Sequence, residues 1–293
     1  MWAKTWSLRE GFIICCGLIL TGLMLELSIG PVIWDLFAWP ANGTVLAGLI
    51  ALCVVFYLLR RWVYAFRFLG TYHAAVPALL FAVGLTIVMG LTRQNVNGAW
   101  IYNMLSFWPF VLVFVYVTVI LSQVIIHHVL HFRWRRDIPF LLNHLGLFIA
   151  ITTATLGNAD MQRLKMITAI GEPEWRALGD DGLVKELPIA IELKRFIMEE
   201  YDDGTPKRFA SEVQILTKAG KNIQATVEVN KPVEVEGWKI YQYGYDTAMG
   251  RMSNISILEL VSDPWLSAVY TGIYMMLAGA VCMFVLGVRR SKS

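Results

Sequence analysis

The sequence is poor in charge. Asp, Glu, Lys and Arg make up 16% of its 293 residues against 57% hydrophobic ones, and the mean hydropathy is +0.56. A chain of this composition cannot clothe itself in polar side chains, which excludes a water-soluble domain and indicates an integral membrane protein. Cysteine is scarce too: Cys15, Cys16, Cys53 and Cys282 all lie in apolar runs with no Cys-x-x-Cys spacing. A disulfide framework, a zinc site and a thiol-exchange motif are thereby excluded, and the thiols read as small packing residues. No Ser-His-Asp set, paired acids or phosphate-cradling glycine loop is visible, so nothing points to hydrolysis or nucleotide chemistry.

Long apolar runs are abundant. Six stand out, at about 11–29, 43–59, 74–91, 107–130, 138–157 and 264–288. Each has about the 17 to 25 residues that cross roughly 30 Å of hydrocarbon as a helix. The first run follows Lys4 and Arg9 as a signal peptide would. It is longer than a signal core and lacks a small-x-small cleavage site, so it reads as the first spanning helix, with Glu26 reaching the interface at its far end. Trp34 to Trp39 reads as an interfacial aromatic belt.

Six spans place both termini on one side. That side collects Lys4, Arg9, Arg60, Arg61, Arg67, Arg133, Arg135, Arg136, Arg289, Arg290 and Lys292, whereas the short loops opposite hold Arg93. Under the positive-inside rule both termini, including the basic tail 289–293, are cytoplasmic and residues 158–263 lie outside.

The outer segment has 13 basic and 18 acidic residues and neither histidine nor cysteine. Its negative balance argues against nucleic-acid or anionic-lipid binding. Met161 to Asp181 reads as helical or irregular. Strand character follows at Leu187–Ile197, Phe209–Thr217, Asn222–Asn230, Gly237–Tyr245 and Ile255–Val261, separated by turn residues. The expectation is about five antiparallel strands in a small sandwich or open sheet. Tyr241, Tyr243 and Tyr245 alternate and should share one face, for packing or docking. Glu199, Glu200, Asp202 and Asp203 read as a solvated tip. The fold class is thus a polytopic α-helical membrane protein of about six spans with a small extracytoplasmic β-rich domain.

Candidate chemistry centres on residues 138–157, IPFLLNHLGLFIAITTATLG, because this run carries His144 and leads into the outer segment. An ionisable residue inside a membrane helix is costly unless used or paired, and imidazole is a common ligand of haem iron. The alternative is a histidine that only bonds a neighbouring helix. At 1.5 Å per residue His144 lies about 9 Å along the helix from Ile138, in the inner leaflet. Gly146 would let a flat macrocycle approach, and Arg133, Arg135 and Arg136 at the cytoplasmic mouth are candidates for propionate contacts, although topology alone explains them. His73, at the mouth of the third run, is a second candidate haem ligand or an interfacial histidine. His127, His128 and His131 read as a partly solvated cluster, since two histidines four residues apart lack a third ligand. Thr152, Thr153 and Thr155 are expected to bond their own or a neighbouring helix.

One family resemblance is carried by VNKPVEVEGWKIYQYGYD at Val229–Asp246, followed by LELVSDPWLSAVYTGIYMMLAGAVCMF at Leu258–Phe284. An Asn-x-Pro turn, a Gly-aromatic strand with a Tyr-Gln pair and an Asp-Pro opening of the last helix resemble the end of ResB-family cytochrome c biogenesis proteins. NHLGLFIAITTATLG resembles their histidine-bearing helix, so the resemblance runs from Pro139 to Val288. It implies a subunit of the system II machinery in the bacterial inner membrane, which carries haem outward and attaches it to apocytochrome c. It further implies transient haem b bound through His144, a CcsA-type partner with a tryptophan-rich outer loop, apocytochrome c and thiol-reducing proteins as associates, and an accessory rather than catalytic part in the haem lyase. Five spans precede the outer domain here, where the family more usually has three. Two other readings are a haem-b quinol oxidoreductase subunit using His73 and His144, and a scaffold without haem that recruits a secreted partner.

Overall fold

The computed structural model describes residues 5–290 except 96, 97, 181 and 204, and the side chains of 135, 136 and 286–290 lie outside the described residues. The chain divides into two compact units, Met1–Ala159 with Trp265–Ser293, and Asp160–Pro264.

The first unit holds α1 (Leu8–Ile29), α2 (Ala41–Leu59), the short α3 (Tyr64–Phe68), α4 (Tyr72–Leu91), α5 (Trp108–Leu130), α6 (Trp134–Gly157) and α7 (Leu266–Arg290). Six helices are long and apolar enough to cross a membrane. Polar caps start two of them ahead of their apolar runs. At α1, Ser7 donates from its backbone N–H and its hydroxyl to the Glu10 carboxylate, both at 2.6 Å. At α6, Asp137 accepts the backbone N–H of Arg133 at 2.7 Å.

Helix α5 is the hub. Val113, Val117 and Ile120 pack with Cys15 of α1 and Ala74 and Ala78 of α4 into one buried cluster. Near the end of α1, Glu26 is buried, and its carboxylate accepts the N–H of Trp108 at 3.2 Å. The first N–H groups of a helix have no partner within it and carry positive partial charge, so a carboxylate is at home there. Gly22 makes room for this junction, because a Cβ on it would lie 2.5 Å from the Pro109 nitrogen. On the other flank of α5, Gln123 Nε2 donates to the Cys53 carbonyl of α2 at 3.0 Å. Asn42 of α2 donates in turn to the Leu156 carbonyl of α6 at 3.2 Å.

The second unit is an eight-stranded antiparallel sheet in the order β5-β4-β3-β2-β1-β8-β7-β6. Its strands are β1 (Gln162–Ala169), β2 (Pro173–Gly179), β3 (Val184–Glu200), β4 (Pro206–Thr217), β5 (Asn222–Glu228), β6 (Val233–Val235), β7 (Trp238–Tyr245) and β8 (Ile255–Ser262). Residues 161–181 are therefore not helical or irregular; they supply β1 and β2. In β1, Leu164, Met166 and Thr168 are buried in alternation with Arg163, Lys165 and Ile167, the period of a half-buried strand. The five expected strands are β3, β4, β5, β7 and β8, and β1, β2 and β6 bring the single sheet to eight.

The sheet curls so that β4 meets β7. The Ser211 hydroxyl of β4 donates to Gln242 Oε1 of β7 at 2.6 Å and lies 2.7 Å from Ser256 Oγ of β8. Gln242 Nε2 donates to the Gly244 carbonyl at 2.8 Å, and all three side chains are buried. A register shift between Gln242 and Gly244 breaks the tyrosine alternation. Tyr243 faces outward, its hydroxyl 3.2 Å from Lys165 Nζ, while Tyr245 packs on Phe196 and Phe209. The two glutamates of the acidic tip are paired: Glu199 meets Arg208 at 2.9 Å and Glu200 meets Arg251 at 2.8 Å.

Candidate functional site

The end of α5 and the start of α6 bring together residues that lie 16 positions apart, His128 and His144. The carboxylate of Asp137 accepts from His128 Nδ1 at 3.3 Å and is 1% exposed. The same turn of α6 presents Phe140, whose ring lies 4.0 Å from that of His128 and 3.8 Å from that of His144, the latter pair nearly parallel at 18°. Residues four apart on a helix share a face, which is why Phe140 and His144 can stack. His128, Phe140 and His144 form one continuous file of rings.

The hydrogen bonding of His144 fixes its tautomer. Nδ1 lies 2.9 Å from the Phe140 carbonyl, and a carbonyl only accepts, so Nδ1 carries the hydrogen. In the neutral ring Nε2 then bears the lone pair, and it has no hydrogen-bond partner among the described residues. A backbone carbonyl holding one nitrogen while the other is left to a metal is the usual setting of a ligating imidazole. The ring is half-buried.

Gly146 is not open to a macrocycle. A Cβ there would lie 2.6 Å from the Gly272 carbonyl, and one on Gly272 would lie 2.5 Å from the Gly146 carbonyl. This glycine serves the close crossing of α6 and α7. Thr152 and Thr153 donate to the Phe148 and Ile149 carbonyls of their own helix, both at 2.7 Å.

Of the other candidates, His127 adjoins the file, its ring 5.7 Å from that of His128 and edge-on to it. His73 is the second residue of α4, its half-buried ring 3.9 Å from that of Tyr72, and α4 packs on α1 and α5. His127 and His131 are exposed, with rings 4.6 Å apart; Nδ1 of His127 is 3.3 Å from the Tyr57 hydroxyl. Among the described residues no group of three or more His, Cys, Asp or Glu is placed to hold a metal ion. The Arg133 side chain is exposed and its backbone caps α6, while the side chains of Arg135 and Arg136 lie outside the described residues. Sequence reading missed that His128 belongs with His144. The signal was present in the Asp137-x-x-Phe140-x-x-x-His144 spacing, which sets an acid, an aromatic and an imidazole on successive turns.

Six membrane-crossing helices and an antiparallel sheet inserted before the last of them define a polytopic membrane protein with a β-rich domain. Residues 134–254, which include α6, His144 and most of the sheet, match the ResB-like family. The cytochrome c biogenesis protein CcsB of Prochlorococcus marinus subsp. pastoris is 29% identical over 119 residues, 39% of this chain and 26% of the relative. Its counterpart in another strain, Prochlorococcus marinus NATL1A, is 26% identical over 108 residues, 37% of this chain and 24% of the relative. The match thus spans about a quarter of the length of these curated relatives. Among solved structures, a cytochrome c haem lyase, CcmF, covers 83% of this chain and 44% of its own length at 15% identity and a TM-score of 0.36.

Proposed function

We propose that this chain is a ResB-like subunit of a membrane complex that handles haem and supports its covalent attachment to apocytochrome c. The observation that carries this reading is the ResB-like match over residues 134–254, reinforced by relatives named as cytochrome c biogenesis proteins. The matched segment includes His144, and the lone pair left on its Nε2 supports its assignment as an axial ligand of a transient haem b. Phe140 holds the imidazole plane, and the propionates are read as turned to basic residues at the helix ends, with Arg133, Arg135 and Arg136 as one set of candidates. A CcsA-type partner with a tryptophan-rich outer loop supplies the attachment site, and this chain holds and orients its cargo. The family likeness supports a place in the bacterial inner membrane, and the placement of lysine and arginine supports an extracytoplasmic sheet.

The test is the haem content and visible spectrum of the protein purified with its partner, wild type against His144→Ala. Haem lost from the variant and regained with added imidazole is the expected result. Unchanged haem would remove His144 as a ligand, and a wild-type complex without haem would overturn the reading.

A further inference from the structure

The helix ends that carry His127 and His128 also wall a cavity of about 490 Å³. Arg60 and Arg61 at the end of α2, Arg67 in α3, and Gln123, His127 and His128 of α5 line it, and no carboxylate among the described residues does. The volume falls in the range of about 300–1,000 Å³ typical of small-molecule sites. None of the three guanidinium groups has an ion pair among the described residues. Each lies instead against an aromatic ring: Arg60 over Tyr57 at 3.7 Å, Arg61 over Trp62 at 5.3 Å and Arg67 over Tyr64 at 4.8 Å. The positive-inside rule accounts for basic residues at these helix ends. It does not account for three that converge on one concavity without an acidic partner, where their mutual repulsion favours a bound anion.

Two further features mark the cavity. Gln123 is 3% exposed, and while its Nε2 serves the Cys53 carbonyl, its Oε1 has no hydrogen-bond partner among the described residues. An ionised carboxylate has no donor to offer this oxygen, so an anion here is held by the guanidinium groups and not by Gln123. His128 belongs both to the cavity wall and to the file of rings that ends at His144.

We propose that this cavity receives the two propionate carboxylates of haem, which seats the macrocycle beside the His128, Phe140 and His144 rings; the assignment rests on the haem-handling reading above. Guanidinium groups form paired, charge-assisted hydrogen bonds with carboxylates, and three from two helices offer more than one such group a place. The adjoining aromatic file gives a flat ring a neighbour that an acyl chain does not need.

Metal-free protoporphyrin IX tests this, because it keeps both carboxylates and cannot ligate through iron. Its affinity for the full chain in neutral detergent is measured by fluorescence titration, alongside its dimethyl ester. The ester and the Arg60→Gln/Arg67→Gln double variant are each expected to weaken binding by about tenfold or more, the loss expected when charge-assisted bonds are removed. Arg60→Lys/Arg67→Lys should restore part of the binding. Equal affinity for acid and ester overturns the proposal without any variant, so it remains testable even if the arginine variants misfold. Displacement of the porphyrin by equimolar phosphatidylglycerol but not phosphatidylcholine also overturns it, assigning the cavity to a lipid phosphate. Haem content of the complex with its partner separates the two claims. Haem present in wild type and undiminished in the double variant sinks the cavity assignment alone, whereas its absence from wild type sinks the haem-handling reading.

Discussion

Asp137 holds His128 across the turn between two helices, with the imidazole Nδ1 at 3.3 Å from one carboxylate oxygen and the Arg133 N–H at 2.7 Å from the other. A carboxylate that is 1% exposed therefore fixes both the start of α6 and the first ring of the file that ends at His144. Removing the buried carboxylate leaves the Arg133 N–H and the His128 imidazole without their acceptor, which costs more than the bonds contribute.

Asp137→Ala should lower stability by about 2 kcal/mol, and Asp137→Asn, which keeps one acceptor oxygen, by less than half of that. Thermal unfolding in detergent reads the difference as a shift in Tm. An alanine variant with wild-type Tm would show that the carboxylate does not tie the helices.

The α6 and α7 crossing depends on two glycines. Gly146→Ala and Gly272→Ala should each destabilise by about 1–3 kcal/mol, because the added methyl meets backbone that cannot turn aside. At Gly84 of α4 an added Cβ would meet nothing within 4 Å, so Gly84→Ala should be neutral or stabilise by up to about 1 kcal/mol through helix propensity. Equal Tm changes at all three positions would refute the crossing as the cause.

Gln242→Leu should cost about 1–3 kcal/mol by leaving Ser211 and Ser256 buried without their partner. Combining it with Ser211→Ala should cost less than the sum of the two single changes, since both act on one network. Denaturant unfolding of the four proteins measures the coupling, and strict additivity would count against a network.

The sheet also carries a pH-sensitive pair. Arg176 donates to Glu174 from Nε at 2.9 Å and Nη2 at 3.0 Å, and these bonds, with backbone N–H groups of Arg176 and Trp175, hold the Glu174 carboxyl down at about 2 against its ordinary 4.5. A depressed carboxyl contributes stability that is fully present above its ordinary value and lost as pH falls toward the folded one. The pair is solvent-accessible, so its worth is about 0–1 kcal/mol. Wild type minus Glu174→Gln stability should be constant above about pH 5 and shrink toward zero near pH 2. A difference that does not change over this window would remove the pair as its source.

Length and hydropathy sufficed to read the six spans, because burial in lipid leaves an unbroken apolar signal. What they could not carry was pairing between distant residues. The burial of Glu26 was not legible because its partner, the N–H of Trp108, lies 82 positions further on. Gly146 looked like space for a ligand because the backbone that fills that space belongs to α7, beyond the whole sheet. Strands β1 and β2 were missed because Gly171 and Pro173 break a short stretch whose alternation becomes plain only when β8 lies beside it. His144 was legible as a lone imidazole in an apolar run; its link to His128 needed the turn at Asp137.

Strands β1 and β8 run side by side over their full length, with Gln162 opposite Ser262 and Ala169 opposite Ile255. The chain thus leaves the sheet about one strand spacing, some 4.8 Å, from where it joins it. Such a segment is a cassette with fixed terminals. Evolution can lengthen, trim or exchange its far strands, β5 and β6 at the two ends of the order, without changing the spacing of the two ends through which it is spliced into the chain.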